Sequence, residues 1–215
     1  TDEWQLLCQY NITESRLPGL RGLYGKAKYD IYWKIVNEGL KESDLLKTNL
    51  LNFKRGHQYE DEALMHFRKE SKANAVKCGY ISYSKNQLFG ASPDGLVAPD
   101  LIIEIKTRAA GSSKPLVDLN KIFSYFNQAQ MEMVCTPDSK FCILMSYHPE
   151  SKKAKYFMIE RNELLWNVIE HIVLSIKGNK ILVDWPYKED KILAKLENTN
   201  IGRTPDFESI KKLHK

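Results

Sequence analysis

Ser92-Pro93-Asp94-Gly95-Leu96, followed shortly by Leu101-Ile102-Ile103-Glu104-Ile105-Lys106-Thr107, decides how this chain is read. The second stretch is apolar and β-branched apart from two charges, the composition of a strand. The first carries Pro-Asp-Gly, a turn signal. Side chains alternate faces along a strand, so Glu104 and Lys106 share one face and Ile105 points the other way, into a core. Charges on a central strand are costly to bury without partners, which favours a site over a packing accident. Asp94 lies ten residues before Glu104, so a hairpin would bring two carboxylates and an ammonium to one point.

Outward from this hairpin, residues 76–83 and 86–91 read as paired strands, and 140–147 and 154–160 as two more, joined by the turn His148-Pro149-Glu150-Ser151. Residues 26–49 are expected to be helical, with Ile31, Trp33, Ile35 and Val36 apolar. Gly56 reads as the residue before a helix over about 57–71, in which Glu60, Ala63, Leu64 and Phe67 fall at i, i+3, i+4 and i+7, one helix face. Ser124 to Cys135 and Asn162 to Ile176 are further helices. Residues 1–25, with Pro18, Gly19, Gly22 and Gly25, read as loop and short helix, and Ala109 to Lys114 as a loop. The order predicts an α/β fold, a central mixed β-sheet flanked by helices. The chain divides into a domain over 1–178 and a basic C-terminal helix or arm over 179–215.

The 215 residues suffice for one domain with a substantial core. A net charge of +5 fits a polyanion partner. Cys8, Cys78, Cys135 and Cys142 form no C-x-x-C pair, which argues against a zinc site or disulfide framework. No apolar run approaches the roughly 20 residues that span a bilayer. The opening Thr-Asp-Glu-Trp has no basic-then-apolar leader, so the expectation is an intracellular protein, cytoplasmic or nuclear. On that expectation the acceptor-like Asn11-Ile12-Thr13 is a chance match.

Two carboxylates offering hard oxygens suit Mg²⁺ or Mn²⁺, and a lysine beside them can orient a water or offset charge building on a phosphate. These residue types point to a metal-dependent nuclease. Asp94 and Glu104 are the expected metal ligands, with the Ile105 carbonyl as a third. Glu60 would hold a second ion or a water on the metal. Lys106 would orient or activate the attacking water, and Gln128 would hydrogen-bond that water or Lys106. Asp61, Glu62 and Glu132 are expected to be solvated. His57, His66 and His148, with no second ligand at metal spacing, read as structural or surface residues. Lys54, Arg55, Arg108 and Lys114 flank these segments and could hold a duplex.

At these residues the chain resembles the lambda exonuclease family, the YqaJ-like viral recombinases, within the PD-(D/E)XK nucleases. Ser92 to Leu96 resembles the family's metal-site turn, and Glu104-Ile105-Lys106 its E-x-K. Gly56-His57-Gln58-Tyr59-Glu60 followed by Ala63 resembles its G-x-x-x-E-x-x-A helix. Tyr125 through Gln128-Ala129-Gln130 resembles its Q-x-Q helix, whose first glutamine is catalytic. Tyr147-His148-Pro149 and Ile159-Glu160-Arg161 resemble the strands that follow. Trp4 and Ile12-Thr13-Glu14-Ser15 resemble its opening W-x-x-x-R…I-T-x-S, but Cys8 replaces the arginine that helps hold a 5′-phosphate. Ser15, on the phosphate side, is kept, and Arg16 or Arg21 could stand in for the arginine.

The resemblance implies a restriction-endonuclease-like core, one or two Mg²⁺ or Mn²⁺ ions, and 5′-to-3′ exonuclease action on double-stranded DNA. It also implies a homo-oligomer, by analogy a trimer. An endonuclease of the same fold acting on DNA or RNA is the alternative. A non-catalytic nucleic-acid-binding module is the rival from another class, and intact Asp94, Glu104 and Lys106 weigh against it.

Overall fold

The computed structural model describes residues 11–39, 49–108 and 123–178, with backbone alone for 49–58. The expected loop over Ala109 to Lys114, the expected arm over 179–215, and Trp4 and Cys8 lie outside these residues.

Seven strands and five helices occupy the described residues. In chain order these are β1 (Ile12–Thr13), α1 (Leu17–Leu20), α2 (Lys26–Glu38), α3 (Asn49–Ser71), β2 (Ile81–Ser82), β3 (Phe89–Ala91), β4 (Gly95–Ala98) and β5 (Leu101–Thr107). They are followed by α4 (Phe123–Cys135), β6 (Phe141–His148), β7 (Lys153–Glu160) and α5 (Glu163–Ile176). The expected mixed sheet is present, in the order β4-β5-β6-β7. β5 is interior and runs parallel to β6, with Glu104 level with Leu144 and Lys106 with Ser146, while β4 and β7 are antiparallel edges. A parallel pair needs a crossover connection, and α4 lies in it. A second sheet, β1-β3-β2, was not anticipated. Its β2–β3 hairpin matches the pair read over 76–83 and 86–91 but is shorter, and β1 joins it in parallel from a segment read as loop.

The alternation on β5 divides the core. Ile102, on the face of Glu104 and Lys106, packs with Cys142, Leu144 and the α4 residues Phe126, Ala129 and Met133. Leu101, Ile103 and Ile105 pack on the other face with Ala63, Leu64 and Phe67 of α3. Helix α4 therefore covers the charged face and α3 the opposite one.

Two helix boundaries differ from expectation. α3 begins at Asn49 and runs through Gly56. A glycine inside a helix costs about 1 kcal/mol relative to alanine, too little to stop a helix of 23 residues. α2 ends at Glu38 because Gly39 adopts the left-handed conformation (φ 70°) of a helix C-terminus. Asn162 is the N-cap of α5, its side chain accepting from Leu165 N–H at 3.0 Å.

Candidate active site

The β4–β5 hairpin and α4 bring Asp94, Glu104, Lys106 and Gln128 together. Asp94 precedes β4, and its Oδ2 accepts from Ile105 N–H at 2.6 Å, which pins the turn to the strand carrying the other charges. Glu104 is 4% exposed. Its Oε1 accepts from Lys106 Nζ and from Gln128 Nε2, the latter at 2.7 Å. Lys106 Nζ also donates to Gln128 Oε1 at 2.9 Å and lies 5.0 Å from the centre of the Tyr125 ring, a cation–π distance. The three groups close a ring of hydrogen bonds. The Gln128–Lys106 bond is one of the two alternatives read from sequence, the other being a bond to the attacking water.

Charge in this cleft is unbalanced. Burial pushes the Asp94 carboxyl well above the usual carboxylate range, and the charges of Glu104 and then Glu60 push it further. Burial works against the Lys106 ammonium, but Glu104, Glu132 and Asp94 outweigh it and the net shift is upward. In the metal-free protein these acids therefore favour the protonated form of Lys106.

Glu60 sits differently from the other acids. It lies on α3, across the sheet from Glu104, and pairs with Lys77 at 3.1 Å while its charge reaches Asp94. Lys77 also pairs with Asp61 at 2.6 Å. Asp61 is exposed, as expected, and Glu62 is half-buried, accepting from Tyr147 Oη and from Lys152 Nζ at 2.7 Å. His66 pairs with Glu70 at 3.3 Å, and His148 accepts from Ser151 N–H at 3.4 Å, local roles that match their structural reading. The His57 side chain lies outside the description.

The expectation for Glu132 is overturned. It is fully buried, and its Oε1 accepts from Gln128 Nε2 at 3.0 Å. Burial, then the charges of Glu104 and Glu14, push its carboxyl well above the usual range. Read singly, a glutamate in the second half of a helix looks solvated. The signal was its position one turn after Gln128, on the face turned to the sheet.

Glu14 was passed over as well, although it lies within the quoted Ile12-Thr13-Glu14-Ser15. It follows β1, and burial pushes its carboxyl up to about 7, with Glu104 adding to the rise and hydrogen bonds from backbone N–H groups, including Ser92, opposing it. Tyr24, 43% exposed, joins the rim through a hydrogen bond with the Ser124 hydroxyl.

The proposed nucleic-acid contacts are only partly gathered. Ser15 is exposed, its hydroxyl 3.0 Å from Thr13 Oγ1. Arg16 is 7% exposed and donates to the Asn11 carbonyl at 3.0 Å. Arg21, equally buried, donates to Asn127 Oδ1. Arg108 follows β5, its N–H donating to the Tyr147 carbonyl at 2.9 Å. The side chains of Lys54 and Arg55, and all of Lys114, lie outside the description. The described cysteines Cys78, Cys135 and Cys142 are free thiols.

The residues can be tested against a divalent ion. Among the described residues no group of three or more His, Cys, Asp and Glu side chains forms a ready cation cluster. A set of two carboxylates and the Ile105 carbonyl does not need one. Among the described residues, hydrogen bonds fall on one oxygen of Asp94 and one of Glu104, leaving the second oxygen of each. Hard oxygens amid excess negative charge fit Mg²⁺ or Mn²⁺.

The mixed sheet and the hairpin at its edge, with two carboxylates and a lysine, define an α/β fold of the recombinase-domain class. The model of the YqaJ-like viral recombinase domain matches residues 19–139. The chain belongs to that family, as its motifs suggested. Its fold is similar to the crystal structure of an alkaline exonuclease, LHK-Exo, from Laribacter hongkongensis, at 24% identity and a TM-score of 0.61, covering 99% of this chain and 97% of that one. The structure of LHK-Exo in complex with dAMP gives a TM-score of 0.60 at the same identity and coverage. No curated protein matches the chain.

Proposed function

We propose that this protein is a Mg²⁺- or Mn²⁺-dependent nuclease that hydrolyses DNA phosphodiester bonds, acting as a 5′-to-3′ exonuclease on double-stranded DNA. The observation that carries this reading is the Lys106 ammonium clasped between Glu104 and Gln128 beside the hairpin-held Asp94. Membership of the YqaJ-like recombinases and the likeness to an alkaline exonuclease support it.

Asp94, Glu104 and the Ile105 carbonyl would hold the ion, and Glu60, whose charge reaches Asp94, would hold a second ion or a water on the metal. Once bound, it would act as a Lewis acid on the scissile phosphate and lower the pKa of a water. The chain's own residues do the positioning. Lys106, held between Glu104 and Gln128, would orient or activate the attacking water and offset charge on the phosphate. Gln128 and Glu104 hold the ammonium in place, and the Ile105 N–H holds Asp94. Phosphate contact carries no sequence information, so weak base preference is expected.

Digestion of end-labelled linear, nicked and circular duplexes, beside single-stranded DNA and RNA, tests the reading. Loss of linear duplex from its 5′ ends, with circles intact and no reaction in EDTA, is expected. Cut circles would make it an endonuclease, and binding without cleavage a non-catalytic module.

A further inference from the structure

The Gln128 side chain makes three hydrogen bonds, and their pattern fixes which way its amide faces. Nε2 donates to Glu104 Oε1 at 2.7 Å and to Glu132 Oε1 at 3.0 Å, while Oε1 accepts from Lys106 Nζ at 2.9 Å. A flipped amide would point N–H groups at an ammonium and a carbonyl at two carboxyls. Glu104 alone holds this orientation weakly, because its Oε1 is shared with Lys106. Glu132 is the other acceptor. It lies four residues after Gln128 on α4, is 0% exposed, and its Oε2 has no hydrogen-bond partner among the described residues. A buried carboxyl with an unpartnered oxygen is expensive in any fold, and an apolar residue would pack on this helix face at less cost. The cost is accounted for if the acceptor is needed where it stands.

We infer that Glu132 is a positioning residue, which locks the Gln128 amide so that its oxygen holds the Lys106 ammonium. This rests on the proposed nuclease site. Glu132 acts on Gln128 by accepting its hydrogen bond, so glutamine, which keeps an acceptor of the same reach, can replace it there. Leucine and methionine keep bulk and remove the acceptor.

The test combines kinetics on linear duplex DNA with NMR of the side-chain amide groups of the metal-free protein. The Gln128 signals are identified by their loss in Gln128→Ala. Glu132→Leu and Glu132→Met should lower kcat by roughly 10- to 100-fold with KM changed less than about threefold, the range for losing one positioned polar group. Glu132→Gln should restore most of that rate. Glu132→Leu in a Gln128→Ala background should cost nothing further, since its effect passes through the glutamine. In the spectra, the Gln128 NH₂ protons should shift and exchange faster in Glu132→Leu and Glu132→Met but not in Glu132→Gln. A protected, unshifted Gln128 amide in both apolar variants overturns the inference, whether or not the protein cleaves DNA. So does a multiplicative loss in the double variant, or a Glu132→Gln variant as slow as Glu132→Leu. Absent cleavage with the expected spectra would overturn the nuclease reading and leave the lock standing.

Discussion

Gln128 and Gln130 lie two residues apart on α4 and face opposite ways, so they should fail differently. Gln128 reaches Lys106, Glu104 and Glu132. Gln130 donates to the Glu160 carbonyl at 2.8 Å and accepts from Asn162 N–H at 2.8 Å, tying α4 to the start of α5. Gln128→Ala should slow hydrolysis by roughly 10- to 1,000-fold with little change in DNA affinity. Gln130→Ala should leave kcat near wild type but lower the melting temperature, since each stranded partner costs about 1–3 kcal/mol. Equal loss of turnover in both would undo the face assignment. Glu14 makes a pH prediction. Its folded pKa, about 7, stands above its ordinary 4.5. A raised carboxyl favours its protonated form in the fold, so its contribution is present below pH 4.5 and lost as pH rises through 7. Metal-free protein should melt lower at pH 8 than at pH 5, and Glu14→Gln should flatten that difference. An identical slope in the variant would remove Glu14 from the buried cleft.

At the scale of the element, α5 shows how a local signal becomes stability. Asn162 caps it through Leu165 N–H, and the Asn162 backbone is itself held by Gln130. Asn162→Ala should cost roughly 1 kcal/mol, a fall of about 2–4 °C in melting temperature for a chain of this size. No fall would mean the cap contributes nothing. The same scale shows what was legible. β5, β6, β7, α4 and α5 were readable because apolar residues recur at their own periods, and the Glu104-Lys106 face followed from alternation alone. β1 was not, because two residues carry no period, and its parallel pairing with β3 is a long-range event. Helix α3 was read short because Gly56 looks like a stop, while packing of Ala63, Leu64 and Phe67 against β5 outweighs one glycine. Glu132 and Glu14 were lost for a shared reason. A single acid reads as solvated until the fold shows what it faces.

For the whole molecule, the net charge and the acids around the site pull in opposite directions. The chain carries +5 overall, yet around the Lys106 ammonium the charges of Glu104, Glu132 and Asp94 converge. A net positive charge draws a polyanion, and an acid-rich site repels its phosphates unless a cation intervenes. Metal should therefore stabilise the fold as well as enable turnover. At about 100 times its Kd, a bound ion adds about 2.7 kcal/mol, or about 5–11 °C in melting temperature at this chain length. Mn²⁺ and Ca²⁺ should both raise the melting temperature, but Ca²⁺ should block cleavage, since its looser geometry positions water poorly. Asp94→Ala should abolish cleavage and the metal-induced rise together. Without metal it should melt at or above wild type, because it removes one of the repelling carboxyls that burial and Glu104 already disfavour. Lys106→Ala should abolish turnover yet keep the metal-induced rise. Full hydrolysis in EDTA, or an equal rise with Mn²⁺ in Asp94→Ala, would show that the cleft does not hold the ion and that its acids serve the fold alone.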